Sequence, residues 1–313
     1  MDILSKMSLQ RLEAALEFQE HYEERVAEAA DFLRIKLEER KPEFGIVLGS
    51  GLGDLAKEIQ NPIILNYKEI PHFPQPTAHG HAGKLYIGEL EGVPIIGLSG
   101  RTHYYEVAAE PLNTGILQVV FPVHVLADLG VPNYFSTNAV GGLNLGYEVG
   151  DLMIIKSHIN LIPNPLLGRQ YIIDRETDKK AVRFQPMNDA YDPELRELLK
   201  EAGKEHTAQM HEGTYLAVTG PTYETEAECI AFRQGLHADA VGMSTAAEII
   251  AARNRGMRTV AFSCITNTIK GDGTNATNHD EVVRILGSPE VKERLTGTVK
   301  NFFGLYRKTY MSV

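Results

Sequence analysis

The chain has little of what marks a secreted or a nucleic-acid-binding protein. It contains only two cysteines, Cys229 and Cys264, and both lie among apolar residues. A disulfide scaffold is therefore not expected, and two free thiols in a reducing cytosol are predicted. Lysine and arginine total 31 against 41 aspartate and glutamate. The resulting net charge of −10 argues against a nucleic-acid or anionic-membrane partner.

Long apolar runs are also missing. The most apolar stretch, residues 115–131, is interrupted by Gln118, Pro122 and Asp128. These breaks exclude a transmembrane span and predict a buried helix instead. The first 37 residues are charged and lack the uninterrupted apolar segment of a signal peptide. A cytoplasmic location is predicted.

No linker, low-complexity tract or repeat divides the sequence, so one domain over residues 1–313 is predicted. Apolar positions at helical spacing in an N-terminal helical segment, residues 8–39, predict one or two amphipathic helices outside a sheet. After residue 43, apolar strands alternate with helical patterns. This alternation predicts an α/β fold with a central mixed, largely parallel β-sheet flanked by helices. The predicted strands are 44–48, 85–90, 93–98, 134–137, 152–155, 215–218, 240–241 and 259–263.

Three distant segments each follow an apolar run and end in small residues beside an anion-binding side chain. They are residues 49–53 (Gly-Ser-Gly-Leu-Gly), 100–103 (Gly-Arg-Thr-His) and 241–245 (Val-Gly-Met-Ser-Thr). Such loops lie at strand ends, where helix N-termini offer unpaired N–H groups. Hydroxyls, a guanidinium and backbone amides together suit phosphate. Because no P-loop is present and Asp54 replaces the third glycine of a dinucleotide fingerprint, we expect free phosphate as the ligand.

Ser50 and Arg101 are the first candidate ligands of this phosphate. Ser50 lies in a glycine-flanked turn before a helix, and Arg101 at a strand end could grip two phosphate oxygens with its guanidinium fork. A helix cap and a surface ion pair are the competing interpretations. His79, His81 and His103 raise the alternative of a zinc site. Metal is disfavoured because no Cys, Asp or Glu stands beside them at a ligand spacing.

A second group of residues suits a planar heterocycle. Tyr223 and Glu224 precede a helix, where the ring could stack on a base and the carboxylate could accept a hydrogen bond. A helix-start acid is the alternative. Asn267 ends another strand, and its amide can donate and accept, although a turn asparagine is an equally good interpretation. The Gly-, Asn- and Thr-rich residues 270–278 predict a loop that could act as a lid before His279.

Eight motifs occur together in one order. They are Gly-Ser-Gly-Leu-Gly at 49–53, Gly-His-Ala-Gly at 80–83, Gly-Arg-Thr-His-Tyr-Tyr-Glu at 100–106, Thr-Asn-Ala-Val-Gly-Gly-Leu at 137–143, Gly-Pro-Thr-Tyr-Glu-Thr at 220–225, Val-Gly-Met-Ser-Thr at 241–245, Ile-Thr-Asn at 265–267 and Asn-His at 278–279. From about residue 42 to 283 the chain resembles the trimeric, low-molecular-mass purine nucleoside phosphorylases. The resemblance implies reversible attack of phosphate on a purine nucleoside, giving free base and (deoxy)ribose 1-phosphate. It also implies a homotrimer and neither a metal nor an organic cofactor.

The same resemblance implies a role for each matched residue. Phosphate would be held by Ser50, His81, Arg101, His103, the Ala139 backbone N–H and Ser244. Ribose would be held by Tyr105, the Met243 backbone and His279. The purine would be held by Ala139, Tyr223, Glu224, Val241, Thr266 and Asn267. The residues expected to act in catalysis are His81, Glu224, Asn267 and His279.

Base choice rests on Glu224 and Asn267. Glu224 would accept from N1–H and Asn267 would act at the protonated N7, which predicts 6-oxopurine nucleosides such as inosine and guanosine, and a role in purine salvage. Asparagine rather than aspartate at position 267 disfavours a methylthioadenosine phosphorylase. Three hypotheses compete with this assignment: a xanthosine-preferring enzyme, a nucleosidase that uses water and a non-catalytic binding module. Val140 and Thr268 depart from the usual family residues.

Overall fold

The computed structural model describes residues 3–49, 51, 53–78, 80–167, 184–205, 210–269 and 278–311. The predicted phosphate ligand Ser50, the candidate zinc ligand His79 and nearly all of the predicted lid, residues 270–277, lie outside this part of the chain. None of the helices within it has the length and apolar character that a membrane crossing requires.

The strands form one sheet that partly closes on itself. They are β1 Phe44–Leu48, β2 Gln60–Asn66, β3 Lys84–Leu90, β4 Val93–Ser99, β5 Asn133–Gly142, β6 Leu152–Asn160, β7 Met210–Ala217, β8 Ala240–Gly242 and β9 Arg258–Thr268. Their order is β2-β3-β4-β1-β5-β8-β7-β6-β9, and β9 also pairs with β5. This pairing closes β5 to β9 into a five-stranded ring, from which β1 to β4 extend as an open sheet.

Most of the pairings in this sheet are parallel. Strand β1 is parallel to β4 and β5, β5 is parallel to β9, and β7 is parallel to β6 and β8. The remaining pairings, β2 with β3, β3 with β4, β5 with β8 and β6 with β9, are antiparallel. The predicted mixed, largely parallel sheet is therefore confirmed.

Helices cover both faces of the sheet. They are α1 Ile3–Glu20, α2 Tyr22–Leu37, α3 Tyr104–Val107, α4 Thr114–Asp128, α5 Pro193–Gly203, α6 Glu226–Ile230, α7 Ala246–Asn254, α8 His279–Gly287 and α9 Pro289–Tyr306. Helices α2, α4 and α7 pack on one face, and α5, α8 and α9 pack on the other. Strand β1 shows why: Phe44 and Ile46 contribute to the core under α9, whereas Val47 faces the core under α4. A strand buried on both faces is apolar throughout.

The differences from the predicted elements have local causes. Strand β2 was not predicted, because it is a mostly exposed edge strand that contains Pro62 and lacks an apolar alternation. The helix expected at residues 52–59 is a 3₁₀ segment, Gly53–Glu58. Strands β5 and β9 run about five residues beyond their predicted ends into polar and small residues. These extra segments carry much of the candidate site.

Candidate active site

A cavity of about 290 Å³ lies where the mutually parallel strands β1, β4, β5 and β9 end. Every predicted site residue that the structure describes contributes to its wall. These residues are His81, Arg101, His103, Tyr105, Ala139, Tyr223, Glu224, Val241, Met243, Ser244, Thr266, Asn267 and His279. The strand ends thus bring together side chains that are separated by up to about 200 residues of sequence. Gly49, next to the predicted ligand Ser50, also lines the cavity.

Arg101 lies at the buried end of this cavity, and its side chain is only 5% exposed. Its Nη1 donates to the carboxylate of Glu248 at 2.8 Å and to the hydroxyl of Ser244 at 3.0 Å. Its Nη2 donates to the backbone oxygen of Thr137. Both Nη atoms therefore already have protein acceptors. The guanidinium fork that was expected to hold two phosphate oxygens is also the centre of a buried protein network.

Glu248 is the functional neighbour that the sequence reasoning missed. The sequence around it shows only the pattern Thr245-x-x-Glu248, a capping box typical of a helix start. The structure confirms the box, since the Glu248 carboxylate accepts from the Thr245 N–H at 3.1 Å. The same carboxylate also neutralises Arg101. A local capping pattern cannot reveal this second partner, which lies 147 residues away.

His81 and His103 form the wall beside Arg101. The Nδ1 of His81 accepts from the Arg101 backbone N–H at 2.8 Å, and its ring contacts that of His103 edge to face, with 5.0 Å between centroids. Burial, with further contributions from the nearby His103 and Arg101, lowers the pKa of His81 to about 3. His81 is therefore neutral near pH 7 and acts as an acceptor toward Arg101.

Glu106 anchors the loops that carry these histidines. It accepts from the His103 N–H at 2.6 Å and from the His103 Nδ1 at 3.1 Å, and also from Thr77 and Ala78. Burial alone would raise its pKa, but the hydrogen bonds from His103 and Thr77 outweigh burial and lower the pKa to about 2. An ionised carboxylate therefore fixes the segment before His81 against the segment that begins at His103.

The three residues predicted to hold ribose also line the cavity. Tyr105 stacks on His103, with 5.0 Å between ring centroids and 10° between planes. His279 is the first residue of α8, whose N-terminus is capped by the Asn278 side chain through a 2.9 Å bond to the Glu281 N–H. Met243 follows β8 directly. The ribose contacts of these residues stay a prediction.

The residues predicted to meet a base line the same cavity. The Oδ1 of Asn267 accepts from the Thr266 hydroxyl at 3.3 Å, and that hydroxyl also donates to the Val140 oxygen at 3.2 Å. Burial raises the pKa of Glu224. A Cβ on Gly141 would lie 3.3 Å from the Asn267 Nδ2 and would crowd this side chain.

The zinc site considered as an alternative has no structural support. Among the residues that the structure describes, no group of three His, Cys, Asp or Glu side chains could hold a metal ion. His81 and His103 are adjacent, but their polar contacts are with Arg101 and Glu106. The candidate zinc ligand His79 lies outside the described residues.

Comparisons with known proteins agree with this geometry. The family model described as the phosphorylase superfamily matches residues 43–302. The chain is 43% identical to purine nucleoside phosphorylase 1 of Bacillus subtilis, over 90% of this chain and 99% of that protein. It is 42% identical to the purine nucleoside phosphorylase of Rattus norvegicus, over 81% of this chain and 86% of that protein. The chain belongs to the purine nucleoside phosphorylase family.

Solved structures of this family share the fold. The Schistosoma purine nucleoside phosphorylase in complex with hypoxanthine matches with a TM-score of 0.78 and 33% identity. The Schistosoma mansoni purine nucleoside phosphorylase in complex with adenosine matches with a TM-score of 0.78 and 34% identity. Each match covers 90% of this chain and 96% of the other. The fold class and the enzyme class that the motifs predicted are confirmed.

The depressed pKa of His81 leads to a testable pH dependence. In the folded protein the pKa is about 3, against 6.5 for an unperturbed histidine, so between these values only the unfolded chain takes up the proton. This contribution to stability is present above pH 6.5 and is lost as the pH falls toward 3. We expect the stability advantage of wild type over His81→Gln to shrink from pH 7.5 to pH 4.5. Urea unfolding of both proteins at one protein concentration measures this difference in the free energy of unfolding. A difference that does not change with pH would contradict the lowered pKa of His81.

Proposed function

We propose that this purine nucleoside phosphorylase acts on 6-oxopurine nucleosides, namely inosine, guanosine and their deoxy forms, and serves purine salvage. The products are the free base and (deoxy)ribose 1-phosphate, and the reaction is reversible. One observation carries the proposal: a single cavity is lined by the donors of Arg101 and Ser244 and also by the amide of Asn267 and the carboxylate of Glu224. The first pair suits a phosphate, and the second pair suits a 6-oxopurine.

The reaction needs no nucleophile from the protein. An oxygen of phosphate forms a bond to the anomeric carbon while the bond from that carbon to N9 of the purine breaks. The bonding electrons leave with the base, and the sugar passes through a state with oxocarbenium character. The base takes a proton at N7, which is balanced by the proton that hydrogen phosphate gives up as it becomes the sugar phosphate. The protein supplies alignment of two reactants and partners for the charges that develop. Arg101, Ser244 and the Ala139 N–H are proposed to hold the phosphate, together with Ser50, His81 and His103.

Base choice follows from donor and acceptor patterns. Asn267 can donate to the 6-carbonyl through Nδ2 and accept from protonated N7 through Oδ1. The Glu224 carboxylate can accept from N1–H of the same base. A 6-aminopurine presents the opposite pattern at positions 1 and 6, which leaves buried groups unpaired. The Schistosoma enzymes were solved with hypoxanthine and with adenosine, so the base preference of this chain requires its own measurement.

The remaining expectations form part of the same proposal. His81 and His279 are proposed to act near the reacting groups, because both line the cavity. Tyr105 and Met243 would hold the ribose, and Val241 would pack on the base. No metal or organic cofactor takes part in the proposed reaction, since phosphate itself is the second substrate. We further propose that residues 1–313 form one domain of a cytoplasmic enzyme.

We propose a homotrimer as the working assembly. Supporting this, three large apolar side chains near the ends of β5 and β6 are exposed in the single chain: Leu145 (68%), Leu161 (52%) and Leu167 (62%). Burial against other copies would remove such surface from water. Sedimentation equilibrium should give three times the chain mass of 34.7 kDa. A fully active species of one chain mass at assay concentrations would refute the trimer.

Phosphate dependence is the first test of the reaction. With inosine, the wild-type enzyme should release hypoxanthine and ribose 1-phosphate only when inorganic phosphate is present, because phosphate is the attacking group. Hypoxanthine release followed by absorbance, with and without phosphate, measures this. Release at equal rates in both conditions would support a nucleosidase, and no release with any purine nucleoside would support a binding module.

Base preference is the second test. We expect wild type to prefer inosine over adenosine by up to ~10⁴-fold in kcat/KM, since a polar mismatch in a buried site leaves a group unpaired. Asn267→Asp should narrow or reverse this ratio, because a carboxylate can accept from a 6-amino group. The control Asn188→Asp makes the same chemical change at an exposed residue outside the cavity and should leave the ratio unchanged. An unchanged ratio in Asn267→Asp would remove Asn267 from base recognition.

A further inference from the structure

The backbone at Thr245 adopts a conformation that threonine rarely accepts. Its φ is 68° and its ψ is −54°, and the Ala246 N–H donates to the Ser244 oxygen at 2.8 Å. This three-residue γ-turn is strained, above all for a β-branched residue. Such a conformation persists only where the surroundings hold it. The turn directly follows Ser244, which lines the active-site cavity.

Side chains hold the turn from one side. The Thr245 hydroxyl accepts from the Arg101 Nη1 at 2.9 Å and from the Asn138 Nδ2 at 2.7 Å. The Thr245 N–H donates to Glu248 at 3.1 Å. Thr245 is 1% exposed and Glu248 is 3% exposed. Hydrogen bonds to three side chains in a buried setting therefore determine where Thr245 lies.

Tyr215, on β7, holds the turn from the other side. Its hydroxyl donates to the Ser244 oxygen at 2.8 Å and accepts from the Ser244 N–H at 3.1 Å. Tyr215 is fully buried and does not line the cavity. Gly242 gives its hydroxyl room, because a Cβ there would lie 2.8 Å from it. The Tyr215 hydroxyl thus binds the Ser244 backbone twice, once as a donor and once as an acceptor.

These contacts converge on the Ser244 hydroxyl. Its oxygen accepts from the Arg101 Nη1 at 3.0 Å and lies 3.3 Å from the Thr245 hydroxyl, so Arg101 and Thr245 together determine where this hydroxyl lies in the cavity wall. If Thr245 relaxed toward a helical conformation, the Ser244 carbonyl would lose its bond from Ala246 and the hydroxyl would turn relative to Arg101. The strained backbone of Thr245 therefore lies directly beside Ser244, which is proposed to hold an anion.

We propose that Thr245 and Tyr215 are positioning residues that hold Ser244 for phosphate. The proposal rests on the phosphorolysis proposed above. Neither residue contacts the substrate, and both act through the orientation of Ser244. Loss of either set of hydrogen bonds should weaken the binding of phosphate, because Ser244 would no longer point at it. The binding of the nucleoside should change little, because its contacts remain.

The experiment compares three variants with wild type by measuring KM for inorganic phosphate and KM for inosine. Thr245→Val keeps the branched shape but removes the hydroxyl, and Tyr215→Phe removes both bonds to Ser244. Each should raise KM for phosphate at least ~10-fold, since small misplacements near reacting groups have effects of this size, and leave KM for inosine within about twofold. Thr245→Ser restores the hydroxyl and should return KM for phosphate close to the wild-type value.

The matched control is Tyr191→Phe. Tyr191 is equally buried, and its hydroxyl bonds to the His158 Nδ1 at 2.9 Å, away from Ser244. Its loss should leave KM for phosphate unchanged. If Thr245→Val does not fold, the KM for phosphate of Tyr215→Phe alone tests the proposal. An unchanged KM for phosphate in the folded variants, or an equal rise for inosine, overturns the proposal. If wild type releases the base equally fast with and without phosphate, the proposed function itself is overturned.

Discussion

The ion pair between Arg101 and Glu248 is the interaction on which the cavity wall around Arg101 depends. Its atoms are 2.8 Å apart, and each side chain is 5% exposed. It joins the second residue after β4 to the first turn of α7, while Arg101 also donates to Thr137 on β5. A buried ion pair seldom adds net stability, because removing both charges from water is costly. Its consequence here is geometric, since it fixes three chain segments relative to one another.

Closure of strands β5 to β9 into a ring explains why those segments meet. Strand β5 pairs with β1, β8 and β9, so its carboxyl half, Asn138–Gly142, lies among the ends of its neighbours. This half is rich in small residues, which lets other groups approach the backbone. The β9 end, with Thr266 and Asn267, lies beside it in the same parallel direction. The cavity thus forms where the paired strand ends meet the loops that follow them.

The sequence predicted a strand best where both faces of the strand are buried. Strand β1 was predicted to the residue, because both faces are apolar. The exposed edge strand β2 and the polar ends of β5 and β9 gave no such signal. The residues that the motifs singled out and that the structure describes line one cavity, while their individual roles stay predictions. The partners of Arg101 could not be predicted, because its hydrogen bonds to Ser244 and Glu248 span more than 140 residues.

The charges at the proposed phosphate end also explain how an acidic chain could select an anion. The positive charge of Arg101 is balanced by Glu248, and burial keeps His81 neutral. Glu106 is ionised and nearby, so the described groups do not create a large local excess of positive charge. Recognition of phosphate must therefore come from the directions of its donors, which act strongly in a buried site. A donor that must point correctly needs a fixed backbone, and this requirement gives the strained turn at Thr245 a physical reason to persist.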